Sequence, residues 1–392
     1  MRIKRLLADS YWISIKQVVS ICTSIIISSI MARSLSMEIF GKYQLVLSIL
    51  AILSISSLSG LNVSITTAIA KGYDGDYIIA RRIKYVSSFI GTIGLIITGI
   101  FFLINSKYDI GISCLIISSI FPIIYSTNVW ESMLIAKEKF KELSLYSIAQ
   151  ILLNTVLIIS SIYFFKNNII VLSLAYVVSI AIPNYIIYNK TKKYIKNLIK
   201  YKKTLSYGIF MTIMSMINVI VENIDKLIIG YFIGIEQLAI YTIGILIFNK
   251  IKNMIKNFLS ILSSRIARNN TMKWKYYIPI FFISCIGTCI LYFIIPYIIE
   301  LLYTSKYSLS IPVAQLTIIF IPFFIIKILA KNHFIFNVRD KKVLYNLSLY
   351  TPLIKFILMI PALYYYGIYG LAFLLGFQHI IELVIIYKVR KK

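Results

Sequence analysis

Long apolar runs, separated by short polar connections, recur along the whole chain. Twelve of these runs are long enough to cross the roughly 30 Å hydrocarbon core of a membrane as a helix. They cover residues 11–32, 44–69, 83–104, 110–135, 143–165, 168–188, 205–233, 237–263, 276–299, 309–330, 343–366 and 368–387. Because a helix satisfies its own backbone hydrogen bonds without water, the pattern predicts an all-α polytopic membrane protein with about twelve transmembrane helices.

The composition of the chain strengthens this prediction. Hydrophobic residues make up 59% of the 392 positions, and the mean hydropathy is +0.85, which leaves little room for a soluble domain. All four cysteines lie within apolar runs, so we interpret them as small buried side chains rather than as disulfides or metal ligands. The sequence contains no glycine-rich phosphate loop and no metal-ligand motif. We therefore expect no metal and no other cofactor.

The net charge of +27 would suggest a nucleic-acid partner in a soluble chain. In a membrane protein the side on which the basic residues lie is more informative. If both termini are cytoplasmic, the inner connections are 70–84, 136–142, 189–204, 250–275 and 327–342, and these include the ends of some apolar runs. Together with the two tails they hold 33 of the 41 Lys and Arg residues, while the outer connections hold 5 and the other 3, Lys16, Lys226 and Lys355, lie within spans. Cytoplasmic connections carry such an excess, so we predict that both termini lie inside. We expect a lipid bilayer rather than nucleic acid as the partner.

Two stretches of the chain, residues 31–49 and 222–244, are similar to each other. An offset of 198 residues aligns three pairs of positions, namely Ser36 with Gly234, Glu38 with Glu236, and Tyr43 with Tyr241. Because an even number of helices per half keeps its orientation, this duplication predicts two six-helix bundles related by an axis along the membrane normal. We place the bundles at residues 1–188 and 205–392, joined by a basic cytoplasmic linker at 189–204.

Several residues in and beside these two stretches match the sequence pattern of a known family. The set comprises Arg33, Glu38, Phe40, Gly41, Tyr43, Asp225, Gly230, Gly234 and Tyr241, with the stretch YYYGIYGLAFLLG at 364–376. It resembles the Wzx-type polysaccharide flippases of the multidrug/oligosaccharidyl-lipid/polysaccharide (MOP) exporter superfamily, and the resemblance covers essentially the whole chain. One departure is that Tyr231 stands in the second repeat where Arg33 stands in the first, so we do not expect a mechanism of paired arginines.

The resemblance implies a MATE-like MOP fold and no enzymatic step. It implies that an undecaprenyl-pyrophosphate-linked oligosaccharide, such as an O-antigen or capsule repeat unit, crosses the bacterial inner membrane by alternating access between the bundles. Other glycan-assembly membrane proteins are the further partners that it implies. Two alternatives stay open, a cation-coupled multidrug exporter of the same fold and a membrane glycan polymerase or ligase. The short outer connections weigh against the enzyme, since such enzymes usually carry a large outer domain.

Polar residues follow one face of the seventh span. Ser215, Asn218, Glu222 and Asp225 recur at steps of 3, 4 and 3 residues, which places them on one side of a helix. Charges at bilayer depth are costly, so we predict that this face lines a cavity and that Glu222, Asp225 and Lys226 serve ion coupling there. Two alternatives are that Glu222 and Lys226 neutralise each other, and that Asp225 has a structural role.

A pyrophosphate headgroup needs cations in a cavity of low dielectric. Lys16 in the first span and Lys355 in the eleventh are the candidates for this role, and we assign Arg33 and Asn218 to the same substrate cavity. The alternative for Lys355 is a buried acidic partner, Glu131 or Glu382.

The last group of candidates is Glu131, His379 and Glu382. His379 and Glu382 share a helix face at a spacing of 3 residues, and a carboxylate beside a histidine can relay protons. A proton or sodium gradient is therefore a possible energy source. For Glu382 we favour an interfacial acid that balances Lys388, and for Trp130 an anchor at the membrane interface.

Overall fold

The computed structural model describes residues 2–266, 277–333 and 341–390. This part of the chain is almost entirely helical, as predicted. Its helices are α1 (Arg2–Ser34), α2 (Met37–Leu53), α3 (Leu61–Ala70), α4 (Asp76–Ile104), α5 (Tyr108–Thr127), α6 (Trp130–Ala136), α7 (Phe140–Phe164), α8 (Ile169–Thr191), α9 (Thr204–Ile228), α10 (Ile235–Ile266), α11 (Tyr277–Tyr303), α12 (Ser310–Ile318), α13 (Ile321–His333) and α14 (Lys341–Arg390).

The number of membrane spans agrees with the hydropathy pattern. Ten helical segments of the described residues are long and apolar enough to cross a membrane, and α12 with α13 makes an eleventh if this bent pair is one span. Helix α14 is 50 residues long, which is about 75 Å and exceeds twice the thickness of the hydrocarbon core. Its backbone leaves the helical conformation at Gly367, where φ is 57°. This break lies between the predicted eleventh and twelfth spans.

The structure therefore confirms an all-α, multi-pass membrane protein, while the cytoplasmic position of the termini stays a prediction. The chain forms two compact units, Met1–Asn223 and Ile224–Lys392, here called the N-terminal and C-terminal units. The offset of 198 residues between the two similar stretches is also the distance along the chain between two helix starts. The second helix of the first half, α2, begins at Met37, and the second helix of the second half, α10, begins at Ile235. The bundle boundaries drawn from the sequence stay a prediction.

Close helix contacts hold the N-terminal unit together. α4 packs along α5, α1 packs on α7, and α5 packs on α8. Gly99 of α4 and Gly111 of α5 face each other, and a Cβ built on Gly111 would lie 2.9 Å from the Gly99 carbonyl oxygen. Small residues at such a crossing allow two membrane helices to bring their backbones together.

The segment that precedes α9 belongs to the N-terminal unit. Two buried aspartates hold it in place, Asp74 in the turn between α3 and α4 and Asp76 at the start of α4. Asp74 accepts a hydrogen bond from the backbone N–H of Lys196 at 2.8 Å and pairs with Lys137 at 2.7 Å. Asp76 accepts a hydrogen bond from the Thr204 hydroxyl at 2.6 Å. The later part of the predicted linker is therefore fixed by hydrogen bonds rather than free in solvent.

Three predicted spans are interrupted. The second span breaks between α2 and α3, where a 3₁₀ turn leads to Leu58 with a left-handed φ of 56°. The fourth breaks at Asn128 and Val129, between α5 and α6. The tenth bends by 40° between α12 and α13. The hydropathy pattern predicts a continuous run in each case, because the interrupting residues are themselves mostly apolar or small.

The C-terminal unit is built around α10, α12, α13 and α14, which pack on one another. Its core contains Phe324, Ile328 and Leu329 of α13 together with Ile386 of α14. α11 packs on α12 and α13. These helices carry the buried ionisable residues described next.

Candidate functional site

Three ionisable side chains meet inside the C-terminal unit. Lys327 of α13 places its Nζ 2.5 Å from Oε2 of Glu382 on α14, and Nδ1 of His379 lies 3.2 Å from the same oxygen. Lys327 Nζ and His379 Nδ1 are 3.4 Å apart. The side chain of Lys327 is 14% exposed, that of Glu382 is 17% exposed, and that of His379 is 2% exposed. We call this group the Lys–His–Glu cluster.

Aromatic rings surround the histidine of this cluster. The His379 ring centre lies 5.0 Å from that of Phe324 and 6.2 Å from that of Phe248. Lys252 places its Nζ 5.0 Å from the centre of the Phe248 ring. Nε2 of His379 is buried and has no hydrogen-bond partner in the described part of the chain. In this arrangement one carboxylate neutralises Lys327 and holds the imidazole, so a proton can pass between the histidine and the carboxylate.

The spacing of 3 residues on α14 correctly predicts that His379 and Glu382 meet, and their role in ion coupling stays a prediction. The interpretation of Glu382 as an interfacial acid that balances Lys388 is wrong, because Glu382 is paired with Lys327 inside the unit. Lys327 is not among the residues predicted from the sequence, because it is counted there in the inner connection 327–342. A signal was present, since its apolar run extends to residue 330.

A second buried ionisable group lies where α9 leads into α10. Asp225 is 1% exposed, and its Oδ2 accepts a hydrogen bond from the fully buried Tyr241 hydroxyl at 2.7 Å. Between the two residues, the chain forms a π-helical turn at Ile229–Ile233 and reverses at Gly234, where φ is 143°. Such a φ strongly favours glycine. The structure thus joins three residues of the sequence motif, Asp225, Gly234 and Tyr241, in one turn.

Replacing Asp225 with Asn should mainly lower the amount of folded protein. Both Asp225 oxygens accept hydrogen bonds, from the Lys226 N–H and from the Tyr241 hydroxyl, whereas Asn has only one oxygen. One of the two donors would lose its charged acceptor, at a cost of roughly 1.5–3 kcal/mol. We expect a similar loss for Tyr241→Phe, which leaves the carboxylate without one of its two donors. The thermal unfolding midpoint of the purified protein and its level in the membrane measure both effects.

Glu222 supplies the control for this experiment, because it is exposed on the same helix. Glu222→Gln should leave the protein level unchanged. If Glu222 serves ion coupling, this variant should also weaken transport, and transport should depend less on an imposed proton or sodium gradient. Equal loss of protein in the Asp225 and Glu222 variants would contradict the structural role of Asp225.

The structure places the other predicted site residues in both units. In the N-terminal unit, Lys16 is half-buried on α1, and the exposed residues are Arg33 at the end of α1, Glu131 on α6 and Asn218 on α9. In the C-terminal unit, Lys226 is half-buried and Lys355 is 4% exposed on α14. Their assignments to a substrate cavity or to ion coupling stay predictions.

The interpretation of Trp130 as an anchor at the membrane interface is wrong. Its side chain is 1% exposed, and its indole N–H donates a hydrogen bond to Oδ1 of Asn184 at 2.8 Å. It is therefore an internal residue of the N-terminal unit rather than an anchor at the membrane interface.

The C-terminal unit also contains a cavity of about 600 Å³. It lies between α12 and the two arms of α14, residues 341–366 and 368–390. Its lining is aliphatic and aromatic and includes Leu316, Pro361, Tyr365, Tyr369, Phe373 and Phe377. Such a lining is suited to an apolar ligand with few polar groups.

A multi-pass helical protein with repeated halves and ionisable side chains inside its spans is built like a secondary transporter. Residues 6–261 match the family described as "Polysaccharide biosynthesis protein". The chain belongs to this family. No curated protein sequence matches the chain.

Solved structures of two kinds of transporter share the fold. The lipid II flippase MurJ, in an inward closed conformation, superposes with a TM-score of 0.68 at 14% identity, covering 97% of this chain and 87% of that chain. An inward-facing multidrug resistance MATE family transporter of the MOP superfamily gives 0.64 at 15% identity, with 96% of each chain covered. The MATE transporter VcmN of Vibrio cholerae gives 0.56 at 12% identity, covering 99% and 97%. The chain thus has the MOP fold that its motifs predict.

Proposed function

We propose that this protein is a flippase for an undecaprenyl-pyrophosphate-linked oligosaccharide, such as an O-antigen or capsule repeat unit. It would move this lipid from the cytoplasmic to the periplasmic leaflet of the bacterial inner membrane by alternating access. The observation that carries the proposal is membership of the polysaccharide biosynthesis protein family over residues 6–261. The fold shared with a lipid II flippase supports it.

Two features of the described residues suit the chemistry of such a substrate. Its diphosphate requires cations inside the membrane, and Lys16 and Lys355 lie within spans. Its polyprenyl chain requires apolar surface, which the cavity of the C-terminal unit supplies. Because the family and its structural neighbours comprise transporters, we propose that the protein carries out no covalent step. We also propose that it works beside other glycan-assembly membrane proteins, driven by a proton or sodium gradient.

Deletion of the gene tests the proposal. The deletion strain should lose surface glycan and retain complete lipid-linked repeat units on the cytoplasmic leaflet, and the wild-type gene should reverse both effects. Display of single repeat units on the outer surface of the deletion strain would instead indicate a polymerase. Normal surface glycan, with no lipid-linked units retained, would refute the flippase.

A cation-coupled multidrug exporter is the second candidate, because MATE family transporters share the fold with a TM-score of 0.64. It predicts that the deletion strain becomes sensitive to small cationic toxins while its surface glycan is unchanged. Purified protein in liposomes separates the two functions, since an exporter moves the toxin and a flippase moves a labelled lipid-linked oligosaccharide.

Replacing Lys16 or Lys355 with Gln should reduce surface glycan without reducing the amount of protein in the membrane. Each variant removes a positive charge that the proposal assigns to the pyrophosphate. Arg should restore part of the activity, because it keeps the charge but not the compact shape of the ammonium group. The measurements are surface glycan by antibody or lectin binding, and protein level by immunoblot.

Lys166 supplies the control for these variants, because it is exposed between α7 and α8. Lys166→Gln should change neither quantity. A parallel loss of protein and glycan in the Lys16 and Lys355 variants would mean that these lysines stabilise the fold instead of binding the substrate.

A further inference from the structure

Lys84 is a completely buried lysine within the first third of α4. Its Nζ donates hydrogen bonds to Oδ1 of Asn62 at 2.7 Å and to Oδ1 of Asn128 at 2.8 Å. From the sequence, Lys84 is counted in the inner connection 70–84, because it is only the second residue of the apolar run at 83–104. The helix begins earlier, at Asp76, so that the ammonium group lies inside the N-terminal unit.

Both asparagines lie at interruptions of membrane helices. Asn62 is the second residue of α3 and follows the break of the second span. Asn128 occupies the break of the fourth span, directly after α5. The Ser132 hydroxyl on α6 donates to the backbone carbonyl of Asn62 at 3.0 Å. The two breaks therefore lie side by side, and the Lys84 ammonium group bonds to both.

The surroundings of this ammonium group resemble a cation site. Interrupted helices in transporters present carbonyl oxygens and the negative ends of helix dipoles to small cations. Here two side-chain carbonyl oxygens contact the ammonium group beside the C-terminal end of α5. Glu131 is the acid whose charge acts on Lys84, but it is exposed and forms no ion pair with Lys84 among the described residues. On α3 and α5, the elements that supply the two asparagines, no other charged side chain acts on it.

We infer that the junction of the two helix breaks is a monovalent-cation site that the chain fills from within. The ammonium group of Lys84 occupies the position of the cation, tethered by its own side chain. A purely structural lysine would need only to fill space and hydrogen-bond. A filled cation site predicts in addition that a free cation of the right chemistry can replace the side chain when it is removed.

Lys84→Ala tests this inference with n-propylammonium, which matches the atoms that the substitution removes. The thermal unfolding midpoint of the purified variant should be lower than that of the wild type. It should rise by roughly 2–4 °C at n-propylammonium concentrations about ten times the dissociation constant. Tetramethylammonium chloride at the same concentration should give no rise, because this cation has no N–H group for the two asparagines. The wild type should respond to neither salt, since its site is occupied.

Absence of a rise in Lys84→Ala, or an equal rise in the wild type, would overturn the inference. Lys84→Met fills the space without charge, and its midpoint should not respond to n-propylammonium.

A second pair of variants keeps the test decisive if Lys84→Ala does not fold. Asn62→Asp places a carboxylate against the ammonium group and should be tolerated in the wild-type background. The same change combined with Lys84→Met would bury a carboxylate without a cation, and it should greatly reduce folded protein. Equal protein levels in the single Asn62→Asp variant and in the combined variant would contradict a cation at this position.

These measurements concern stability, so they can succeed or fail independently of the proposed flippase function. The inference goes beyond that function in one respect. A tethered ammonium group does not exchange with sodium, so the junction itself would give no sodium dependence to transport.

Discussion

Replacing Lys327 with Met should destabilise the protein by about 3–5 kcal/mol, because Glu382 would remain as an uncompensated charge among buried side chains. Glu382→Gln should cost a similar amount, since it leaves the Lys327 ammonium group without its anion. The two side chains are only 14% and 17% exposed, so water cannot fully replace the missing partner. Thermal unfolding midpoints and membrane protein levels measure the effect.

The double variant Lys327→Met/Glu382→Leu is the control for this pair. It removes both charges, and replacement of a buried ion pair by apolar residues is often neutral or stabilising. We therefore expect it to be more stable than either single variant. His379→Phe keeps the ion pair and retains an aromatic ring between Phe248 and Phe324, so it should change stability little. If the double variant instead loses as much stability as the two single variants together, the charges do not couple these two residues.

Gly60→Ala should also lower stability strongly, by about 3 kcal/mol or more. A Cβ at this position would lie 2.3 Å from the backbone nitrogen of Thr212 and 2.5 Å from the backbone carbonyl carbon of Met211. Backbone atoms of α9 cannot rotate away as a flexible side chain can. The added methyl group would also disturb the hydrogen bond that the Gly60 N–H donates to the Thr212 hydroxyl at 3.1 Å. The expected result is a large loss of folded protein in the membrane.

Gly287→Ala is the matched control, because among the described residues a Cβ on this residue of α11 would have no heavy atom within 4 Å apart from its chain neighbours and its own helix backbone. Alanine is the better helix former, so this variant should be neutral or slightly stabilising. Comparable protein levels in the Gly60 and Gly287 variants would mean that α3 and α9 do not approach as closely as the structure describes.

The helical spans could be predicted from the sequence because hydrocarbon thickness imposes a length and composition on every helix that crosses it. The separation of the last two spans was predicted as well, since the apolar runs at 343–366 and 368–387 leave only Gly367 between them. Helix starts were harder to predict. α2 begins at Met37, seven residues before its apolar run, because its first turns carry Glu38 and Lys42 and a Ser36 hydroxyl that accepts the N–H of Ile39.

The interruptions within spans could not be predicted in the same way. Hydropathy is averaged over many residues, so one left-handed residue such as Leu58 leaves no trace in it. The break at Asn128 is marked only by its polar side chain. The two breaks are joined by a tertiary contact, the hydrogen bonds that Lys84 donates to Asn62 and Asn128. These residues lie 22 and 44 positions from Lys84 in the chain, so a local pattern cannot reveal the contact.

The candidate site shows the same division between local and tertiary information. Helical spacing is local, so the meeting of His379 and Glu382 could be read from three residues of separation. The identity of the third partner could not, since Lys327 comes from another helix 52 positions away from His379. The motif residues Asp225 and Tyr241 were found by resemblance, and only the structure reveals the hydrogen bond between them.

The hydrogen bonds of Asp74 and Asp76 change where this protein can be cut or tagged. A long basic stretch between two repeats is the usual choice for a reporter fusion, a protease site or a split gene. Tolerance of such insertions depends on whether the local backbone is free of hydrogen bonds. Here the Lys196 N–H and the Thr204 hydroxyl are both engaged. A reporter joined at Lys196 would therefore separate the N-terminal unit from its own residues 197–223. A gene split at the same place would put these residues on the fragment that carries the C-terminal unit.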